Sequence, residues 1–113
     1  MKSTPTKIEL AALREIAGRH PEIGNLDIQV ANLVVKSRRY TGVGFYSDFE
    51  IPNFVAPLVG CPRANIMING FMSGQLCHFI LWPSSDARYI EQLEIVTPDE
   101  SLPEGATLES FIA

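Results

Sequence analysis

Residues Val34 to Ile51 read VVKSRRYTGVGFYSDFEI, and the fold turns on how this stretch is laid out. Val43, Phe45, Phe49 and Ile51 share one parity, while Tyr46, Asp48 and Glu50 share the other. That is the period of a strand with one face on a core and one face in water. Leu33 to Thr41 also reads as extended. Two layouts fit: two strands joined at Thr41-Gly42, or one long strand bent at Gly42 and Gly44. The hairpin puts Arg38 on the face of Phe45, and the bent strand puts Arg39 there. Parity alone leaves both layouts open.

Upstream, Thr6 with Glu9 three residues later has the capping-box spacing, and Pro5 suits a helix start. Ile8, Ala12 and Ile16, with Leu13 and Ala17 beside them, make one apolar stripe. Arg14, Arg19 and His20 complement the dipole at the far end, and Gly18 and Pro21 supply the stop. The spacing predicts a helix over about 6–18 that packs on a sheet. Between Pro21 and Asn32 the patterns conflict: Leu26, Ile28 and Val30 alternate like a strand, yet Ile23, Leu26 and Val30 also suit a helix turn.

Downstream, Pro52 to Pro62 reads as a connection with one helical turn around Phe54 to Val59. Ala64 to Asn69 is a short strand ending at Asn69-Gly70. Leu76 to Trp82 is apolar on both parities except at His78, the pattern of a central strand, and Pro83-Ser84-Ser85-Asp86 closes it as a turn. Tyr89 to Thr97 is its hairpin partner. Pro98, Pro103 and Gly105 break up the acidic end, with Leu108, Phe111 and Ile112 able to dock back on the body. No internal repeat or linker interrupts the chain.

At 113 residues the chain suits a single domain over 1–113, and a domain of that size buries roughly 65% of its unfolded surface, enough for a core without metal or disulfide staples. A hydrophobic fraction of 46% and a charged fraction of 19% are those of an ordinary globular chain. A net charge of −4 works against phosphate backbones, so nucleic acid is not an expected partner. The apolar runs fall well short of the ~20 residues that span a bilayer, and the first residues lead into a helix signal rather than a secretory core. We therefore expect a cytoplasmic protein without a membrane segment. Cys61 and Cys77, set among apolar neighbours, are expected as free thiols.

Few residues suggest chemistry. His78 is the titratable group inside an apolar strand, where it serves either as a satisfied structural histidine or, beside a carboxylate, as a base. Cys77 precedes it directly, so in a strand the two side chains point to opposite faces and cannot act as a nucleophile and base pair. His20, Cys61, Cys77 and His78 lack zinc-ligand spacing, and no metal or other cofactor is expected. Gly42-Val43-Gly44 is too short for a dinucleotide fingerprint and leads into a strand pattern. Glu91 and Glu94, three apart, face opposite sides of a strand and do not form a catalytic carboxylate pair. Lys36, Arg38, Arg39 and Tyr40 gather near Tyr46, Asp48 and Glu50, either as an anion clamp or as cross-strand pairing on a wet face.

Val35-x-x-Arg38-x-Tyr40-Thr41-Gly42-x-Gly44-Phe45, then Gly74 to Leu81, then Leu93-Glu94-x-x-Thr97-x-Asp99-Glu100-x-x-Pro103, resembles a group of small uncharacterised bacterial single-domain proteins. The likeness covers about half of the chain. Ile95-Val96 replaces the Gly-Tyr of that pattern, and Leu102 replaces its Trp. The resemblance implies a bacterial single-domain protein and transfers no catalytic residue.

The expected fold is α+β, an N-terminal helix on a mostly antiparallel sheet of four or five strands. The leading functional expectation is a non-enzymatic binding or interaction module. It would use the sheet face or edge around Arg38, Arg39, Tyr46 and Asp48, with a second copy or another protein as partner. The alternative is a small ligand-binding domain or enzyme with His78 and Glu94 or Asp48 in a pocket.

Overall fold

The computed structural model describes residues 3–97 and 108–113. The expected break at Pro98, Pro103 and Gly105, and the Asp99, Glu100, Leu102 and Pro103 positions of the resemblance, lie outside the described residues. Thr6 and Glu9 form the capping box that their spacing predicts: each side chain takes the other residue's backbone N–H. The helix that follows, α1 (Lys7–Arg19), buries Glu9, Ala12, Leu13 and Ile16. A second helix, α2 (Leu26–Asn32), occupies the segment whose patterns conflict. Leu26, Gln29 and Val30 are its buried positions, and Ile28 points outward. The strand-like alternation there has no structural counterpart, because a polar residue, Gln29, fills one of the helix's inward places.

The decisive stretch is a hairpin. Strand β1 (Val34–Tyr40) pairs antiparallel with β2 (Gly44–Glu50), from Val34 opposite Glu50 to Tyr40 opposite Phe45. Gly42 turns the chain with φ +89°, a conformation that glycine adopts without steric cost. Lys36 forms a bulge between Val35 and Ser37. Val35 and Arg38 lie an odd number of residues apart, and the extra residue lets both face inward.

Strands β3 (Ile66–Met72), β4 (Gln75–Pro83), β5 (Ile90–Val96) and β6 (Leu108–Phe111) complete one antiparallel sheet in the order β1-β2-β5-β4-β3-β6. The sheet has six strands rather than four or five: the C-terminal segment docks as a strand of its own. Asn69-Gly70 does not end β3. The turn falls at Ser73-Gly74, both at positive φ, as a tight hairpin demands. Gly70 stays in the strand because a Cβ there would lie 2.7 Å from the Ser110 carbonyl oxygen and 3.1 Å from the Phe111 ring. That ring packs edge-on against Phe79 at 5.5 Å. The Phe54 to Val59 segment forms a turn closed by the Val55 N–H on the Pro52 carbonyl, then an extended bridge between Val59 and Gly24, and no helix.

Both helices pack on one face of the sheet. Ala12, Leu13, Ile16, Leu26 and Val30 meet Val35, Phe49, Phe79, Leu81, Leu93 and Ile95 in one cluster. Full removal of such aliphatic side chains from water contributes about 2 kcal/mol each. Cys77 joins this core, Cys61 is half-buried in the connection after β2, and both thiols are free. Burial pushes both thiols above their usual range, which keeps them protonated and poor nucleophiles. No helix among the described residues is long and apolar enough to cross a membrane.

Candidate functional site: the open face of the sheet

The sheet face opposite the helices carries five of the six residues singled out from sequence. Cross-strand register lays them out in rows. One row runs Ser37, Asp48, Gln92, Trp82, and the next runs Arg39, Tyr46, Glu94, Ile80, Met67. His78 lies between Val96 and Asn69 in a third row, and Leu76 lies opposite Phe71 in a fourth. Strands β1, β2 and β5 therefore supply a polar half, and β4 and β3 supply an apolar half.

In the polar half, Asp48 is the hub. Its carboxylate accepts from Gln92 Nε2 at 2.8 Å and from Ser37 Oγ at 2.9 Å, with the Arg39 guanidinium at 3.6 Å. The Gln92 hydrogen bond does most to hold the Asp48 carboxyl below its usual range, and Ser37, Arg39 and Lys36 add to it against the opposing effect of burial. Arg39 also lies over the Tyr46 ring, 5.1 Å from its centre. The hydrogen bond to the Glu94 carboxylate, and that carboxylate's charge, push the Tyr46 phenol above its usual range.

In the apolar half, Met67 is 54% exposed and Phe71, Leu76 and Trp82 each close to 40%; Met67 and Trp82 lie on one side of the His78–Asn69 row and Phe71 and Leu76 on the other. His78 hydrogen-bonds through Nδ1 to the Asn69 side chain, its cross-strand neighbour. The Glu94 side chain lies diagonally from it, one row away, and diagonal neighbours on a sheet are about 7–8 Å apart. Both groups stand on an open surface. Two open depressions of about 540 Å³ and about 530 Å³ lie between the helices around Arg14 and Leu26 and at the β1–β4 rim around Lys36 and Trp82. His78 lines neither. No group of three or more His, Cys, Asp or Glu able to hold a metal occurs among the described residues.

Arg38 is the exception. It points through the opposite face and grips Glu9, with Nε on Oε2 at 2.9 Å and Nη2 on Oε1 at 2.7 Å. Ser47 Oγ donates to the same carboxylate, and the Thr6 N–H donates to it at 2.8 Å. Burial pushes the Glu9 carboxyl up. The hydrogen bonds from Arg38, Ser47 and Thr6, with the guanidinium charge, outweigh burial and hold it below its usual range. This bidentate clamp ties the start of α1 to β1 and β2, so Arg38 is engaged inside the fold and does not face a ligand on the open surface.

Sequence reasoning missed Glu9 and Ser47 as a pair, although each carried a signal. Glu9 sits on the apolar stripe of α1, and Ser47 interrupts the inward parity between Phe45 and Phe49. Gln29 was missed for the same reason. Its amide donates to the Ala56 and Arg88 carbonyls at 3.0 Å each and accepts from the Ile90 N–H at 2.9 Å. No protein-family model matches the chain, and no curated protein or solved structure matches it.

Proposed function

We propose that this protein is a non-enzymatic interaction module that docks a protein partner on the open face of its sheet. The observation that carries the reading is that face itself: Met67, Phe71, Leu76 and Trp82 exposed on β3 and β4 about the His78–Asn69 pair, bordered by the Arg39, Tyr46, Asp48 and Glu94 set. An exposed apolar patch with a polar border has the make-up of an interaction surface. The sheet edge is a poorer docking site than the face. Ser3 already pairs with the outer side of Val35 through two backbone hydrogen bonds, and Lys36, Arg38 and Arg39 follow along β1. At the far edge, β6 is four residues long. A cytoplasmic setting belongs to the same reading, supported by two free thiols. So does kinship with the small bacterial proteins, whose shared Arg38, Tyr40, Gly42, Gly44 and Phe45 are residues of the β1–β2 hairpin.

Photo-crosslinking side chains placed at Met67 and Trp82, and at Arg14 on the helix layer, test the reading in living cells. We expect adducts of discrete mass from the first two positions and none from the third. Silence from both sheet positions overturns the proposal.

A further inference from the structure

We infer that the partner on the open face is a second copy of this chain, packed sheet against sheet about a two-fold axis; this rests on the open face being the docking surface. Six strands at about 4.8 Å spacing and seven residues at about 3.3 Å rise give that face a projected area of roughly 650 Å², more once side-chain relief is counted. A standard stable interface takes about 800 Å² of accessible surface from each partner, so the whole face is the right size and a part of it is not. A sheet face of this extent is matched in size and twist by a second sheet packed against it. An extended peptide gains most of its affinity from a sheet edge, and both edges here are blunted.

A two-fold contact requires self-complementarity, with each group meeting its counterpart's complement on the other copy. Met67, Phe71, Leu76 and Trp82, on either side of the His78–Asn69 pair, need only apolar counterparts. The polar half offers both signs within two neighbouring rows: Arg39 stands beside Asp48, and Glu94 lies in Arg39's row, beyond Tyr46. Each copy therefore brings the cation that the other's carboxylates accept. Edge-to-edge pairing of two β1 strands would instead bring Lys36 and Arg39 toward the same cations, and like charges across a strand pair are destabilising.

The test is solution mass by light scattering across a micromolar concentration series, with the full chain and three variants. The wild type is expected to weigh twice the 12.5 kDa chain. Met67→Glu and Leu76→Lys are expected to weaken association by about tenfold or more, and Ile28→Glu on α2 is expected to leave it intact. Circular dichroism checks that each variant is folded. If a face variant does not fold, oxidative labelling of Met67 and Trp82 in the wild type replaces it, with protection rising as the protein associates. A wild type that stays monomeric, a dimer indifferent to both face variants, or labelling unchanged by concentration overturns the second copy. Crosslinks from Met67 to a different protein would then keep the docking face while removing this occupant. Absence of any crosslink would remove both.

Discussion

Glu9 and Arg38 are the residues on which this fold is most exposed to a single change. The carboxylate is fully buried and the guanidinium is 22% exposed, so losing the acid strands a partly buried cation. Removing one partner of such a pair costs about 3 kcal/mol, and Glu9→Gln is expected to lose that much in urea denaturation at neutral pH. The folded state holds the Glu9 proton less tightly than the unfolded chain does, whose value is near 4.5. The stability it supplies is complete above that pH and drains away as pH falls through the lower folded value. The wild type and Glu9→Gln curves should therefore converge in acid, and curves that stay parallel would show that the clamp contributes nothing through ionisation. Neighbouring parity could not choose between Arg38 and Arg39, because the choice rests on the chain folding back at Gly42, the hairpin layout that puts Arg38 on the face of Phe45, and on an acid on a distant helix.

At the scale of elements, α2 and the two connections beside it hang on Gln29. It accepts from the buried Ile90 N–H and donates to the Ala56 and Arg88 carbonyls, the second of which also accepts from the Leu58 N–H. Gln29→Leu keeps the size and takes this partner from the buried Ile90 N–H, at a cost of about 1–3 kcal/mol for a buried group left unsatisfied. We expect hydrogen exchange to quicken first at Ile90 and in the Pro52–Gly60 connection, with β3 and β4 unchanged. Uniform quickening would mean that these segments do not open as a unit. The elements that were legible from sequence are those whose signals are local: α1 from its capping box, β4 from its unbroken apolar run, and β5 from its position after a turn. The elements that were misread or left open depend on distant partners. Gly70 reads as a stop but makes room for Phe111, and the segment open between strand and helix is held by Gln29, which faces carbonyls of two connections.

For the molecule as a whole, β6 closes the sheet. It pairs with β3 from Gly70 to Met72, while the Ile112 carbonyl accepts from Arg19 and the Glu109 carboxylate accepts from the Gly74 N–H. A chain lacking residues 108–113 loses these ties and the Phe111 ring over Phe79, and uncovers a long edge on β3. The expected result is a lower melting temperature and concentration-dependent aggregation, read by scanning calorimetry and light scattering. An unchanged melt would show that the sheet is complete with five strands. The α+β layout was visible in the order of helix and strand signals, whereas the face that the described elements leave uncovered was not. Sequence alternation reports that a strand has two sides and does not report how many elements exist to cover them.

The bulge at Lys36 has a genetic consequence. The side chain there is exposed, and the residue's presence as a spacer keeps Val35 and Arg38 in phase. Losing one codon at this site would force the strand to give up either the apolar contact with Phe49 or the grip on Glu9. Substitution at position 36 and loss of position 36 are therefore different events for this gene, since only the second shifts the phase of the strand.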